Sequence, residues 1–452
     1  MVRAVATETR LDRRPATAAA FMTAIDQRFV PLGHEVRFAF LLGCGFFVLL
    51  SFPGVGGLPS GMTGAHALMF ASLPFWFAAS VRRKALVLDQ TAALGAGLIL
   101  LCLAFLVGWA FLSAMVSNTP LRTGRPIVAL LSGISCFFLV TGTVTHRRLN
   151  VFVDVLCLTL ALTCLISVAA FYLPPLQNAV FNGTDRASGY FKNPNQFGMA
   201  ISVILPVAVA CLLGQRERRL LWLGCLAALL LGLVLSGSKT NLMISSATLI
   251  FVLGAFSMIA QTGMKRVRML VLSFLVTAAL PLLNIALLWI YNPRALSLFT
   301  VLLSEQEELH SLTTRSEIWR RSIEEFLHSP VFGQGAGHPI DIFYADQLVT
   351  HSHNVLLDYL RTMGAPGFFG FLIVVLAVLF LSLSSIRLAF KMRQAELENR
   401  ILCIGLSVAP IAYLTANMSS DSMGPSTSPF LWVTFFLALA ARVSLLGEPR
   451  PR

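Results

Sequence analysis

The chain has 452 residues, of which 56% are hydrophobic and only 12% are charged, and its mean hydropathy is +0.77. Because soluble proteins carry about 25% charged residues, this composition excludes a soluble globular protein and indicates a polytopic membrane protein. The net charge of +13 would also suit a nucleic-acid-binding protein. The basic residues, however, lie in short clusters beside apolar stretches, which is typical of membrane topology signals.

Twelve apolar stretches are predicted to be membrane-spanning helices, most of them long enough to cross about 30 Å of hydrocarbon. The predicted spans are 38–52, 64–81, 91–116, 127–145, 149–173, 196–214, 220–236, 241–263, 269–291, 366–386, 401–417 and 429–446. The predicted fold class is therefore an all-α polytopic membrane protein.

The basic clusters between the spans predict the orientation of the chain. Most of the 34 Lys and Arg residues fall on the side that also holds both termini, and the more basic side of such proteins is cytoplasmic. The predicted regions are a cytoplasmic tail over 1–37, transmembrane helices 1–9 over 38–291, a large periplasmic loop with short helices over 292–365, transmembrane helices 10–12 over 366–446 and a cytoplasmic tail over 447–452.

The large loop is predicted to contain two helices. The first covers Ser311–Leu327, with Thr313 or Thr314 as its N-cap. The second begins near Ser352 and is broken or kinked by Gly364 where the chain meets the membrane. This loop is the one extramembrane segment long enough to form a small subdomain.

Basic side chains in three outer loops are the first candidates for a binding site. Arg186, Lys239 and Arg315 each lie close to the end of a span, where a cation needs water, an acidic partner or an anion. Together they could hold a pyrophosphate group. The alternative is that each reaches the membrane interface or pairs with a nearby acid such as Asp185 or Glu317.

The outer loop after span five holds one further basic candidate, Lys192, and ends in a turn signal. The turn is Asn193-Pro194-Asn195. Whatever the function, Asn195 is predicted to be the N-cap of the next helix.

Three histidines in the large loop, His338, His351 and His353, are candidates for accepting a proton near neutral pH. They could also indicate a metal site, but no Asp/Glu pattern completes one, so no metal is predicted. A carboxylate pair for glycoside hydrolysis is a further alternative. A solvated acidic face is the preferred interpretation of the acids concerned, which are Glu305, Glu307, Glu308, Glu324, Glu325, Asp341 and Asp346.

All eight cysteines fall within predicted spans, and none forms a CxxC pair. This arrangement argues against a disulfide framework and against zinc or iron–sulfur ligation. The cysteines are therefore predicted to be small apolar packing residues.

Over about residues 180–370, the chain resembles the O-antigen ligase family, whose superfamily also contains O-antigen and exopolysaccharide polymerases. Family members show Arg-x-x-Gly before Asn-Pro-Asn, a Ser-Arg pair after the seventh span, and Arg-x-x-x-Trp before Pro-x-x-Gly-x-Gly. The matching residues here are Arg186, Gly189, Asn193, Pro194, Asn195, Ser238, Lys239, Arg315, Trp319, Pro330, Gly333 and Gly335. Lys239 departs from the family's usual arginine, keeping the charge but not the planar fork.

The ligase-type pattern within that superfamily favours one of the three histidines. It consists of His followed by Asn, Ser or Gln, nine residues, Gly, two residues, and Gly, Thr or Tyr. His353-Asn354, Gly364 and Gly367 fit this spacing, whereas His351 does not, because Thr362 stands where its glycine should be. Members often carry Glu at that position, so this sequence puts any acidic role there in doubt.

The resemblance implies an inverting, metal-independent glycosyltransferase without a cofactor, in the bacterial inner membrane with its active site facing the periplasm. It implies transfer of a glycan from undecaprenyl pyrophosphate to an acceptor sugar of lipid A–core. His353 and Arg315 are the expected catalytic residues, and the expected substrate-binding residues are Arg186, Lys239, Lys192, Asn354, His351 and His338.

Other functions remain open on the sequence alone. An O-antigen or exopolysaccharide polymerase would use a lipid-linked glycan as acceptor, and the His353–Gly367 spacing favours the ligase over it. A polysaccharide or lipid transporter would also suit twelve spans, but transporters place polar groups at the membrane midplane, whereas here they lie in outer loops. A third class is a scaffold of an export complex, in which His353 would be dispensable.

Overall fold

A computed structural model describes residues 34–53, 62–82, 88–170, 173–181, 186–260, 263–268, 270–271, 275, 305–340, 342–344, 347–418 and 424–447. Nearly all of the regular structure in these residues is helical. A two-residue antiparallel strand pair is also present, in which Phe343–Tyr344 faces Gln347–Leu348.

The helices are α1 His34–Ser51, α2 Gly64–Arg82, α3 Gln90–Met115, α4 Gly124–Thr143, α5 His146–Ala169, α6 Pro174–Phe181, α7 Pro194–Gly214, α8 Arg219–Ser236, α9 Lys239–Ala260, α10 Glu305–His328, α11 Val355–Lys391, α12 Leu397–Asn417 and α13 Ser428–Gly447, with 3-10 turns at Pro120–Thr123 and Arg216–Arg218. Within the described ranges, ten helices are long and apolar enough to cross a membrane, and Val36–Ser51 is a shorter apolar helix. The predicted span over 269–291 lies almost wholly outside the described residues.

The centre of the bundle is formed by α7, α12 and α13, whose residues are mostly buried. Helix α12 packs on both α7 and α13, and α7 also packs on α8 and α9. Small residues allow the close approach: a Cβ on Gly405 of α12 would lie 2.6 Å from the Cβ of Ala210 on α7. Such small-residue contacts are typical of helix pairs in membranes. Helix α7 thus packs against α8, α9 and α12, and this packing positions the residues of its first turn.

Helix α10 begins earlier than predicted. It starts at Glu305, so the predicted N-caps Thr313 and Thr314 lie inside the helix and that prediction is wrong. Glu and Gln in the preceding residues are good helix formers, and acidic residues are favourable in a first turn. The longer helix still carries Arg315.

Helix α11 joins the end of the large loop to the next apolar span and is kinked where the two segments meet. The predicted kink at Gly364 is confirmed, because this residue has a φ of 66° and a ψ of −168° within the helix. The predicted end of the loop, residue 365, falls beside this kink.

Candidate active site

Three of the predicted basic residues line one cavity. The cavity has a volume of about 190 Å³ and is lined by Arg186, Asn195, Gly237, Ser238, Lys239, Thr240 and Arg315. The three cations come from the segment before α7, the start of α9 and the first half of α10. The fold therefore brings together charges that lie far apart in the chain, and like charges gathered in one concave site favour an anionic ligand.

Hydrogen bonds to two neighbouring residues fix Arg186 in the wall of this cavity. Its Nε donates to the carbonyl oxygen of Ser236 at 2.8 Å, and its Nη2 donates to Oδ1 of Asn195 at 2.9 Å. Burial lowers the pKa of the Arg186 guanidinium, but a guanidinium stays protonated at neutral pH in proteins. The cavity thus has a permanent cation whose orientation is set by its hydrogen bonds.

The first turns of α7 and α9 form another part of the cavity. The N-cap of α7 is Asn193, whose side chain accepts a hydrogen bond from the backbone N–H of Gln196 at 2.9 Å. The predicted cap, Asn195, was therefore wrong; it lies within the helix and faces Arg186. Asn241 of α9 donates to the carbonyl oxygen of Asn195 at 3.0 Å. Two helix N-termini are thus joined at the cavity, and their dipoles favour an anion there.

Helix α10 connects the cavity to the histidines. Arg315 lines the cavity, and Trp319 lies one turn farther along the same helix. The indole Nε1 of Trp319 donates to the carbonyl oxygen of Ser352 at 3.0 Å, and the hydroxyl of Ser322 shares a hydrogen bond with that of Ser352 at 3.1 Å. A single rigid helix therefore fixes the position of the histidine segment relative to Arg315.

His351 and His353 lie on either side of Ser352 in a tight turn, which we call the histidine turn (residues 351–353). Their ring centroids are 4.4 Å apart. Among the non-glycine residues that the structure describes, only His353 has a positive φ, at 50°. Such a backbone costs of order 1–3 kcal/mol and is found preferentially at functional sites, where the surrounding structure enforces it.

Asn354 begins helix α11. Its Oδ1 accepts hydrogen bonds from the backbone N–H groups of Leu356 at 3.0 Å and Leu357 at 3.1 Å. The side-chain oxygen of this predicted substrate-binding residue therefore caps a helix. In the structure, Asn354 fixes the chain directly after His353.

The remaining candidates lie elsewhere. His338 places its Nδ1 3.1 Å from the hydroxyl of Thr119, and Lys192 is exposed. Neither residue is among the described side chains that line the cation cavity, and neither His351 nor His353 lines it directly. The structure thus separates the site into a cation cavity and a histidine turn, joined by α10.

No metal centre is recognisable in the part of the chain that the structure describes. There, no group of three or more His, Cys, Asp or Glu side chains comes together in a way that could hold an ion. Among the described residues, His351 and His353 form a pair without a third His, Cys, Asp or Glu side chain placed to complete a ligand set, and two protein ligands are fewer than the three or four of typical zinc sites.

The glycines of the two sequence motifs allow residues 330–335 to pack closely on helix α11, which follows the histidine turn. Residues 330–335 pack directly on the backbone of α11, where the N–H of Gly335 donates to the carbonyl oxygen of Thr362 at 2.9 Å. A Cβ on Gly364 would lie 2.2 Å from the carbonyl oxygen of Val331, and one on Gly333 would lie 2.4 Å from the carbonyl carbon of Thr362. Both glycines also have a positive φ, which explains why these two motifs require glycine.

A buried arginine was missed from the sequence. Arg361 is fully buried; its Nη1 lies 3.1 Å from Oε2 of Glu325 and its Nη2 lies 3.0 Å from Oδ1 of Asp358. Its guanidinium also donates to the carbonyl oxygens of His338 at 2.8 Å and Pro339 at 3.3 Å. Glu325 is thus a buried ion-pair partner, and its predicted place in a solvated acidic face was wrong. The sequence signal that could have identified Arg361 is its position within an apolar stretch, where an arginine is costly unless it is paired.

Residues 196–372 match the family model described as O-antigen ligase. The matched region begins in α7 and ends in α11, so it includes Lys239, Arg315 and His353 and starts ten residues after Arg186. No curated protein matches the chain.

Proposed function

The chain is a multi-pass membrane protein with an O-antigen ligase family domain over residues 196–372, and we propose that it is a glycosyltransferase that acts as an O-antigen ligase. The proposed donor is a glycan on undecaprenyl pyrophosphate, and the proposed acceptor is a sugar of lipid A–core. We place the protein in the bacterial inner membrane with the site facing the periplasm. The location of the basic clusters beside the spans supports this orientation.

The observation that carries the proposal is the convergence of Arg186, Lys239 and Arg315 on one cavity. A pyrophosphate leaving group gains negative charge as its bond to the sugar breaks. Cations that are already in place stabilise that charge without reorganisation. Guanidinium groups also match the geometry of phosphate oxygens. The cavity therefore suits the pyrophosphate of the donor, with Arg315 as the cation on the side of the histidine turn.

The proposed reaction is a single displacement. A hydroxyl oxygen of the acceptor attacks the anomeric carbon of the donor sugar, and the bond from that carbon to the pyrophosphate oxygen breaks. His353 accepts the hydroxyl proton, and undecaprenyl pyrophosphate leaves with the electron pair of the broken bond. One displacement inverts the anomeric configuration. General-base assistance of this kind contributes about 10²–10⁴-fold to a rate.

A reconstituted assay tests the proposal. The purified protein is placed in vesicles without an ion gradient, with the lipid-linked glycan and lipid A–core, and the ligated product is followed. We expect product and an equal amount of released undecaprenyl pyrophosphate. Neither a transporter nor a scaffold would form a new glycosidic bond under these conditions. The absence of product would therefore contradict the proposal.

The polymerase alternative is separated from the ligase in a deletion strain. The ligase proposal predicts that long glycan chains persist on the carrier lipid when the protein is absent, because they can no longer be transferred. A strain that accumulates single repeat units on the carrier would identify the protein as a polymerase. The His353–Gly367 spacing favours the first outcome.

A further inference from the structure

Ser352, the central residue of the histidine turn, is held in place by hydrogen bonds to its backbone and to its hydroxyl. It is fully buried, and both its backbone N–H and its hydroxyl donate to Oδ1 of Asp358 at 3.2 Å. Trp319 and Ser322 of α10 bind its carbonyl oxygen and its hydroxyl. All hydrogen-bonding groups of a residue between two histidines are therefore engaged by α10 or by the first turn of α11.

Asp358 is itself held in place by Arg361. The guanidinium Nη2 of Arg361 donates to the same Oδ1 that accepts from Ser352. Nη2 also donates to the carbonyl oxygen of His338, and Nη1 donates to Glu325 and to the carbonyl oxygen of Pro339. A buried guanidinium with this many partners cannot turn away without leaving charges unpaired. The carboxylate of Asp358 is consequently fixed relative to α10.

His353 lies between two anchored residues. On one side Ser352 is bound to Asp358, and on the other Asn354 caps α11 through the N–H groups of residues 356 and 357. The strained φ of 50° at His353 persists only where neighbouring contacts enforce it. These two anchors hold the backbone of His353 in its strained conformation. One is the side chain of Asp358 in the first turn of α11, and the other is the N-cap of that helix, Asn354.

We infer that Asp358 and Arg361 are positioning residues, which hold the histidine turn so that His353 reaches the acceptor hydroxyl. The inference rests on the proposed function, because it assumes that His353 accepts the proton of the acceptor hydroxyl. Asp358 acts through Ser352 and takes no part in the displacement. A misplacement of about 1 Å at a reacting group lowers the rate on the order of 100-fold, so loss of this anchor is expected to reduce turnover and to leave donor binding in the separate cation cavity intact.

Two substitutions at Asp358 test the inference in the full-length protein in vesicles. Asp358→Ala removes the acceptor for Ser352, and we expect kcat to fall on the order of 100-fold with the KM for the donor within about twofold. Asp358→Asn keeps an oxygen that can accept from Ser352 and Arg361. Because Glu325 still balances the charge of Arg361, this variant is expected to keep kcat within about fivefold of the wild type.

Asp89→Ala is the matched control. Asp89 pairs with the buried Arg442 at 2.7 Å, at the start of α3 and away from the histidine turn. We expect this variant to lower the melting temperature while folded protein retains its kcat. Asp358→Ala with wild-type kcat, or Asp358→Asn as defective as Asp358→Ala, would overturn the positioning role. A wild-type protein that transfers no glycan would instead contradict the proposed function, so the two failures are distinguishable.

Discussion

Trp319 and Ser352 are joined by a hydrogen bond of 3.0 Å, from the indole Nε1 of the first to the carbonyl oxygen of the second. Trp319 lies one helical turn from Arg315, which lines the cation cavity. Ser352 lies between the two histidines. This contact therefore makes α10 the mechanical link between the proposed donor cavity and the proposed general base.

Replacing Trp319 by Phe tests this link. The variant keeps an aromatic ring but leaves the carbonyl oxygen of Ser352 without its indole donor. One such hydrogen bond is worth about 1 kcal/mol, so we expect kcat for glycan transfer to fall about fivefold with little change in donor KM. Initial rates at varied donor concentration measure both quantities.

Trp109→Phe is the matched control for that experiment. Its indole also donates to a backbone carbonyl of α11, that of Met363 at 2.8 Å, and its ring stacks on Phe332. This contact does not involve the histidine turn, so the control is expected to lower thermal stability without lowering kcat. Equal kinetic losses in the two variants would show that the Trp319 contact has no special role in transfer.

Lys239 is predicted to act as a phosphate-binding cation. Lys239→Arg keeps the charge and is expected to retain activity, whereas Lys239→Gln should raise the donor KM by about 10- to 100-fold, since a charge-assisted hydrogen bond contributes about 1.5–3 kcal/mol. Lys391→Gln makes the same change in net charge at the far end of α11 and should leave KM unaltered. Equal donor KM values for Lys239→Gln and Lys239→Arg would remove Lys239 from the site.

The sequence was sufficient to identify the separate cations but not their convergence. Arg186, Lys239 and Arg315 stood out because each is a basic residue beside an apolar span. Whether they meet depends on how α7, α9 and α10 pack, and no local spacing encodes that. The N-cap at Asn193 was within reach of local rules, because proline at position 194 favours the first helical position and so makes the preceding residue the cap.

Gly364 is predicted to be intolerant of any side chain. Gly364→Ala would place a Cβ 2.2 Å from the carbonyl oxygen of Val331 and would impose a φ of 66° on alanine. This combination of a positive φ with a ψ near 180° is essentially restricted to glycine and costs other residues of order 1–3 kcal/mol, and the steric overlap adds to this. We expect a clearly lower melting temperature for the purified protein.

Gly97→Ala provides the comparison for Gly364→Ala. Gly97 lies within α3, and a Cβ there would meet no atom within 4 Å. Because alanine favours a helix over glycine by about 1 kcal/mol, this variant should melt at the same temperature as the wild type or higher. A Gly364→Ala protein as stable as Gly97→Ala would contradict the packing of residues 330–335 on α11.

The contacts of Arg361 with Glu325 and Asp358 could not be predicted from the sequence. Glu325 belongs to a run of charged residues on α10 that resembles a solvated helix face, and only the packing of α10 on α11 buries it against Arg361. Asp358 likewise resembles an ordinary acidic residue in the first turn of a helix. Their shared role depends on how residues 338–340 and 347–352 are arranged between them, which the pattern of apolar and polar residues does not specify.

The most direct test compares donor binding and transfer in two variants of the reconstituted protein. Under the proposed division of the site, His353→Ala binds undecaprenyl-pyrophosphate-linked glycan with the wild-type dissociation constant but forms product about 10²–10⁴-fold more slowly. Lys239→Gln is expected to show the opposite behaviour. Its donor binding is weakened, and its rate of product formation recovers at high donor concentration. A His353→Ala protein that transfers glycan at the wild-type rate, or one that has lost donor binding although folded, would contradict the account.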